Sequence, residues 1–361
     1  MKIVTVVGAR PQFIKAAALS RVLRREHQEI LVHTGQHYDP QMSGVFFEEL
    51  HIPKPDYNLG VAGGSHAQMT ARMLVALEEV LVKEAPDALL VYGDTNSTLS
   101  AALCAVKLHV PVVHVEAGNR LGTLQNPEEV NRILTDHVST LLFACVQSAM
   151  DMLAKENLAD RARLVGDPML DAFLYYRGLQ GDRRPEALEG ADGETVKAPE
   201  RYHYLTCHRE ENTRDERTLT EILLAMETLP EPTLYPLHPR NRDMAARLRQ
   251  RLNLRNVRFL KPLGYLDSIA LCAHAQSVVT DSGGVQREAF FARVPCVTVF
   301  DYAVWPETMT GGCNRLAKPD RRDIAAKLAM TPDWGADTHP FGEGHACEKI
   351  VAALDELPGH G

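Results

Sequence analysis

Ile3-Val4-Thr5-Val6-Val7-Gly8-Ala9-Arg10-Pro11-Gln12-Phe13-Ile14-Lys15 is the stretch on which the fold reading turns. Five β-branched residues with no polar alternation describe a strand buried on both faces. Gly8 ends that strand and permits a sharp turn. Pro11 suits the first position of a helix, where its missing N–H costs nothing. A helix is predicted from about 11 to 25. A doubly buried strand running directly into a helix is the opening of a parallel α/β unit.

The same alternation continues outward. Strands are predicted at 29–33, 88–92, 111–115 and 141–145, with helices near 41–50, 66–83, 98–108 and 128–137. A second series has strands at 202–207, 233–237, 257–260, 277–280 and 297–300. Its helices fall near 216–228, 240–252, 268–274 and 285–292. Residues 178–201 are rich in Gly, Pro, Asp and Glu and read as a surface excursion. The expectation is two Rossmann-like, doubly wound parallel-sheet domains, 1–166 and 167–345. A tail helix within 346–361 is free to pack on either. Domains of this kind bind ligands at the carboxyl ends of their strands, so a cleft shared by the two sets of ends is expected.

The chain has 361 residues, 45% of them hydrophobic and 24% charged, which is ordinary for a globular protein of about two domains. A net charge of -8 argues against a general nucleic-acid or membrane binder. Seven cysteines, an odd number with no CxxC pair, read as buried reduced thiols and leave structural zinc without support. The chain enters a strand pattern from Met1, with no export signal and no membrane-length apolar run, so a soluble cytoplasmic protein is expected.

Four groups of residues carry chemistry. Gly8 to Lys15 bring Arg10 and a helix start together, which suits a phosphate. The pattern is neither GxGxxG nor a P-loop, so dinucleotide oxidoreductases and NTPases lose support. Asp281-Ser282-Gly283-Gly284-Val285-Gln286-Arg287-Glu288 follows a strand. Its glycines let backbone N–H groups approach a phosphate, and Glu288, one turn on, is suited to ribose hydroxyls. In the first half, Asp94, Glu116 and Glu128 lie at or after strand ends, with Arg132 one turn past Glu128. Carboxylates grouped in one cleft divide acid and base roles when their environments differ. Taken singly they also read as a helix cap, a turn acceptor and an i,i+4 pair. Last, His208 and His238, with Arg240, follow successive strands of the second half and suit phosphate contact or general-acid work. No HExxH or GxSxG is present, so metal-dependent hydrolysis and a serine nucleophile are unsupported.

At these residues the chain resembles the non-hydrolysing UDP-N-acetylglucosamine 2-epimerases. The resemblance runs through nearly the whole sequence, in order. It is carried by GARPQFIKA near the start, HTGQHYD (33–39), FFEEL (46–50), VYGDTNSTL (91–99), HVEAG (114–118) and PEEVNRILTDH (127–137). HREEN (208–212), LHPRNR (237–242) and TDSGGVQREAF (280–290) complete the set. It implies a glycosyltransferase-B-like architecture whose final helix crosses back, with no redox cofactor; the absence of His/Cys metal spacing leaves a metal site without support. It also implies a homodimer working on surface-polysaccharide precursors. The implied reaction interconverts UDP-N-acetylglucosamine and UDP-N-acetylmannosamine by eliminating UDP and adding it back. Asp94, Glu116, Glu128, Arg132 and His208 are then the implied catalytic set. Arg10, Lys15, His238, Arg240, Ser282, Gly283, Gly284 and Glu288 are the implied UDP and substrate contacts. Ala9, Gln12, Asn119 and Arg287 depart from the common pattern. Some features look closer to the branch acting on UDP-2,3-diacetamido-glucuronic acid, and a retaining glycosyltransferase of like architecture is a further alternative. Gln36, Gln41 and Arg72 are the nearest matches to the second UDP-sugar site that some members use for activation.

Overall fold

The computed structural model describes residues 1–36 and 49–357. The helix expected near 41–50 and the contact expected from Gln41 lie largely or wholly outside them. The chain forms two compact units: Met1–Tyr175 with His339–Gly361, and Tyr176–Thr338.

The first unit is built on a seven-stranded parallel sheet. Its strands are β1 (Lys2–Val7), β2 (Gln28–His33), β3 (Tyr57–Asn58), β4 (Ala88–Tyr92), β5 (Val112–Val115), β6 (Leu141–Ala144) and β7 (Ala162–Leu164). They lie in the order β3-β2-β1-β4-β5-β6-β7. The chain steps outward from β1 to β3, then returns to the other side of β1 with β4, pairing Val6 with Val91. Neighbouring crossovers therefore leave in opposite directions between β1 and β4. That switch point opens a crevice at the strands' carboxyl ends. The apolar run read from the sequence has its physical reason here: Ile3, Val4, Val6, Leu89, Leu90 and Val91 are all fully buried. The helix His66–Glu84 starts where Ser65 accepts the Gln68 N–H at 3.3 Å. It buries Met73, Leu77 and Leu81 against the sheet.

The second unit carries a six-stranded parallel sheet: β10 (His203–Thr206), β11 (Thr233–Pro236), β12 (Val257–Leu260), β13 (Val278–Thr280), β14 (Cys296–Val299) and β15 (Asn314–Ala317). The order β12-β11-β10-β13-β14-β15 repeats the same reversal, here between β10 and β13. A small antiparallel pair, β8 (Ala187–Glu189) and β9 (Thr195–Lys197), precedes it. This pair occupies the stretch expected to be a surface excursion. It is tied down because Leu188 is buried with Tyr202 and Leu260, and Gly190 bridges to Leu260.

Several elements were not legible in the sequence. Strands β3, β7 and β15 are too short or too polar to show a period, and helices Gln147–Lys155 and Pro168–Gln180 were not expected. The boundary between the two units falls inside the second of these helices. After His339 the chain rejoins the first unit. There the Ala346 and Cys347 N–H groups donate to Asp171 at 3.1 and 2.8 Å, capping helix Ala346–Ala353. All seven cysteines are buried and free. Among the described residues no helix is long and apolar enough to cross a membrane.

Candidate active site

In the first unit Arg10, Lys15, Asp94, Glu116 and Arg132 lie around the β1/β4 switch point and the neighbouring end of β5, while Glu128 stands on the helix that supplies Arg132. Gly8 follows β1 without a left-handed turn. It is required instead by close approach, since a Cβ there would meet Ser97 Oγ at 2.2 Å and Thr34 Oγ1 at 2.3 Å. Arg10 opens helix Arg10–Leu23, with Pro11 in its first turn. The buried Gln12 side chain ties this turn to the next one. Its Oε1 accepts from the Gly8 and Ala9 N–H groups at 2.8 and 3.0 Å, and its Nε2 donates to the Tyr92 carbonyl at 2.7 Å and to Thr98 Oγ1 at 2.9 Å. Both groups of the amide are used, so the Arg10 turn and the Gly93-Asp94 turn are fixed to each other.

Asp94 follows β4 and is partly exposed. Arg132 holds its carboxylate, with the other arm of the guanidinium on Glu129, and Asn131 Nδ2 donates to the Asp94 carbonyl at 2.9 Å. The i,i+4 pair of Glu128 with Arg132 does not form. Arg132 turns to Glu129 and Asp94, and Glu128 stands exposed in the first turn of helix Pro127–Val138. Burial lowers the Arg132 pKa most, but the Asp94 and Glu129 charges outweigh it and raise it, so the guanidinium stays charged.

Glu116 follows β5 with φ of 71°, in the left-handed region that costs an L-residue about 1–2 kcal/mol. The Glu116 and Ala117 N–H groups both donate to the Phe143 carbonyl at 3.0 Å, which holds the turn in place. Strain retained at a strand end is typical of functional positions. The Glu116 side chain is 12% exposed and pairs with Lys15, itself 3% exposed. Lys15 is thus a buried counter-ion on the same helix as Arg10. Cys145 and Asp167, both buried, bring ligand atoms within 4.8 Å of the Glu116 carboxylate; no sequence motif marks either. Glu116 and Lys15 also face the Asp94 turn, since a Cβ on Gly93 would lie 3.8 Å from both Glu116 Oε1 and Lys15 Nζ.

In the second unit His208 and Ser282 sit at the β10/β13 switch point, and His238 and Arg240 follow the neighbouring β11. His208 follows β10, and its Nδ1 lies 3.1 Å from the buried Asp281 carboxylate after β13. Asp281 also accepts from the His208 and Arg209 N–H groups, both at 2.9 Å, and from Asn212 Nδ2 at 3.2 Å. Burial pushes the Asp281 carboxyl up, but the His208 ring and these donors hold it below the usual carboxylate range. A proton on Nδ1 would be held by Asp281, which leaves Nε2 as the ring nitrogen for another partner. The His238 ring stacks on His208 at 5.8 Å, and Arg240 Nη1 donates to the His208 carbonyl at 3.3 Å. The sequence signal for Asp281 is a carboxylate immediately before the Ser-Gly-Gly turn.

Ser282 caps helix Gly283–Phe291, accepting the Val285 N–H at 3.4 Å. Gly283 and Gly284 are helical, so their value is space. A Cβ on Gly284 would meet only Ser282 Oγ, at 3.7 Å. The Val285 N–H is taken by Ser282, and the uncrowded Gly284 position suits an anion at the helix start. Glu288 is buried one turn on, and burial and then the Glu288 charge push the buried Tyr265 phenol well above its usual pKa. Arg287 lays its guanidinium over the Trp305 ring at 4.1 Å. Of the residues suggested by the activator-site resemblance, Gln36 accepts the Ser97 N–H at 3.1 Å. Arg72 donates to the Ala62 carbonyl at 3.1 Å and to that of Gly63. The structure gives the two no shared partner among the described residues.

Residues 21–355 match the family model described as UDP-N-acetylglucosamine 2-epimerase. The chain is 44% identical to the UDP-2,3-diacetamido-2,3-dideoxy-D-glucuronate 2-epimerase of Pseudomonas aeruginosa, over 99% of this chain and 100% of that one. It is 42% identical, over 99% and 100%, to a UDP-N-acetylglucosamine 2-epimerase homolog of Methanococcus maripaludis. Among solved structures it is similar to the Methanocaldococcus jannaschii UDP-GlcNAc 2-epimerase in complex with UDP-GlcNAc and UDP. That match has a TM-score of 0.85 and 33% identity, covering 99% of this chain and 100% of that one.

Proposed function

The chain belongs to the UDP-N-acetylglucosamine 2-epimerase family, and from that premise we propose that it inverts carbon 2 of a UDP-2-acetamido sugar by removing and restoring UDP. One observation carries the reading. At the end of the first unit's sheet, two carboxylates are each held by a buried cation, Asp94 by Arg132 and Glu116 by Lys15. Glu128 stands exposed in the helix that supplies Arg132. The second unit supplies an anion-receptive helix start and a carboxylate-oriented histidine.

Carbon 2 has no carbonyl neighbour, so its proton leaves only as the anomeric oxygen leaves. In the forward step a carboxylate takes the carbon 2 proton, the C–H electrons form a C1–C2 double bond, and the C1–O bond breaks toward UDP. In the return step an acid delivers a proton to the opposite face of carbon 2, and the diphosphate oxygen adds back to carbon 1. Electrons and protons balance without an oxidant. Asp94, Glu116 and Glu128 are assigned the proton transfers. Arg10, Ser282 and the Gly283 and Gly284 amides are assigned the diphosphate, with His208, His238, Arg240 and Lys15 supporting its charge. Glu288 is assigned the ribose.

UDP-N-acetylglucosamine is the first substrate reading. A second, the 2,3-diacetamido-glucuronate analogue, is favoured by the 44% identity to an enzyme of that name and by Arg287, a cation suited to a substrate carboxylate. A homodimer acting in the cytoplasm on polysaccharide precursors completes the proposal, supported by family membership alone. The test is incubation with each sugar nucleotide in deuterium oxide, with NMR of the recovered material. Deuterium at carbon 2 and appearance of the epimer are expected with one of them; absence of exchange with both would refute the reading.

A further inference from the structure

Two residues of the quoted motifs have no place in that chemistry. His114 belongs to HVEAG and Asp136 to PEEVNRILTDH, and both side chains are 0% exposed. A histidine in the middle of a buried strand needs polar partners to offset lost hydration. His114 finds two. Its Nδ1 lies 2.6 Å from Asp136 Oδ1, and its Nε2 lies 2.7 Å from the Gly93 carbonyl. That carbonyl belongs to the peptide that joins Gly93 to Asp94. Asp136 Oδ2 accepts the Gly118 N–H at 3.0 Å and lies 2.7 Å from Arg120 Nη1. Gly118 closes the turn that starts at Glu116. It cannot be replaced by a larger residue that would brace the turn sterically, since a Cβ there would meet the Ala149 carbonyl at 2.5 Å.

One chain of hydrogen bonds therefore runs from the Gly93 carbonyl through His114 and Asp136 to the Gly118 N–H. It begins one residue from Asp94 and ends two residues from Glu116. Arg120 anchors its middle, gripping Glu156 with Nε and Nη2 at 2.7 and 2.8 Å. Backbone pairing of β4 with β5 fixes the strands as far as Tyr92 and Val115. Past the last backbone bond between them, from the Gly93 N–H to the Val115 carbonyl at 2.9 Å, the side-chain relay links the two turns that carry the carboxylates.

We propose that His114 and Asp136 are positioning residues that set the separation of the Asp94 and Glu116 carboxylates for proton transfer at carbon 2. The inference rests on the epimerase reading above. A shift of about 1 Å in such a pair is enough to cost a reaction on the order of 100-fold. UDP binding, assigned to other loops, is left untouched.

The test uses the full chain and the variants His114→Phe and Asp136→Asn, with the substrate found active on the unaltered protein. Lack of exchange by the unaltered protein would mark failure of the function reading, a result separate from those of the variants. With activity present, each variant is expected to lose about 10- to 100-fold in kcat and in carbon 2 deuterium exchange, with KM and UDP affinity within about threefold. A crystal structure of either variant is expected to show the Gly93 carbonyl displaced relative to Glu116. Three results would overturn the proposal: unchanged kcat in both variants, equal losses in kcat and UDP affinity, or failure of both to fold, which would make the pair a folding element.

Discussion

Replacing Arg132 by Met separates what this residue does for the fold from what it does for the reaction. Arg132 is the shared partner of Glu129, whose side chain is 1% exposed, and of Asp94, whose side chain is 29% exposed. Glu129 also accepts from the Leu121 and Gly122 N–H groups at 2.7 and 3.0 Å. Those bonds do not neutralise its charge. Removing one member of a buried pair costs about 3–5 kcal/mol, because the other is left charged in a poor solvent. For a unit of this size each kcal/mol lowers the melting temperature by roughly 2–4 °C, so Arg132→Met is expected to lower it by about 6–20 °C. Adding Glu129→Gln removes the stranded charge and keeps acceptors for the two backbone N–H groups. The double variant is therefore expected to regain most of the loss, measured by calorimetry or urea titration. Activity follows a different rule, since Asp94 remains unheld in both variants. Carbon 2 exchange is expected to stay depressed at least about 10²-fold in the single and the double variant alike. Recovery of activity along with stability in the double variant would refute the orienting role of Arg132. A single variant as stable as the parent would refute the buried-pair argument.

Asp94→Asn and Glu128→Gln are each expected to lose at least about 10²-fold in epimerisation rate; near-normal turnover in both would remove them as proton-transfer groups. Asp281→Asn is expected to lower kcat by about tenfold or more while the helix start keeps its hold on UDP, because an amide no longer fixes the His208 ring as its carboxylate does; steady-state kinetics with UDP titration checks this. Asp136 and Asp281 are both held below the usual carboxylate range in the folded chain. Burial pushes each up, but His114 with Arg120 and His208 with its loop's N–H groups overcome it. The unfolded chain then binds protons first as pH falls, so the stability these groups contribute is full well above the unfolded value of about 4 and is lost progressively as pH falls through it toward the lower folded value. Urea midpoints from pH 7 to pH 3 should fall steeply at the acid end, and less so in Asp136→Asn.

The α/β class and the two series of buried strands are legible in the chain's own pattern, because doubly covered parallel strands need continuous apolar runs that survive any detail of packing. That pattern also locates Arg10, Asp94, Glu116, His208 and the Ser282 turn, because in such folds the polar residues that interrupt those runs stand at strand ends. Tertiary structure alone decided the partners. Nothing in the spacing of Glu128 and Arg132 says that the guanidinium turns to Glu129 and Asp94. Nothing in Lys15 says that it is buried against Glu116, or in His114 that it joins Gly93 to Asp136. These are contacts between elements far apart in the chain, fixed by strand order and by the burial of charge. A one-dimensional pattern carries the period of an element but not its neighbour across the sheet.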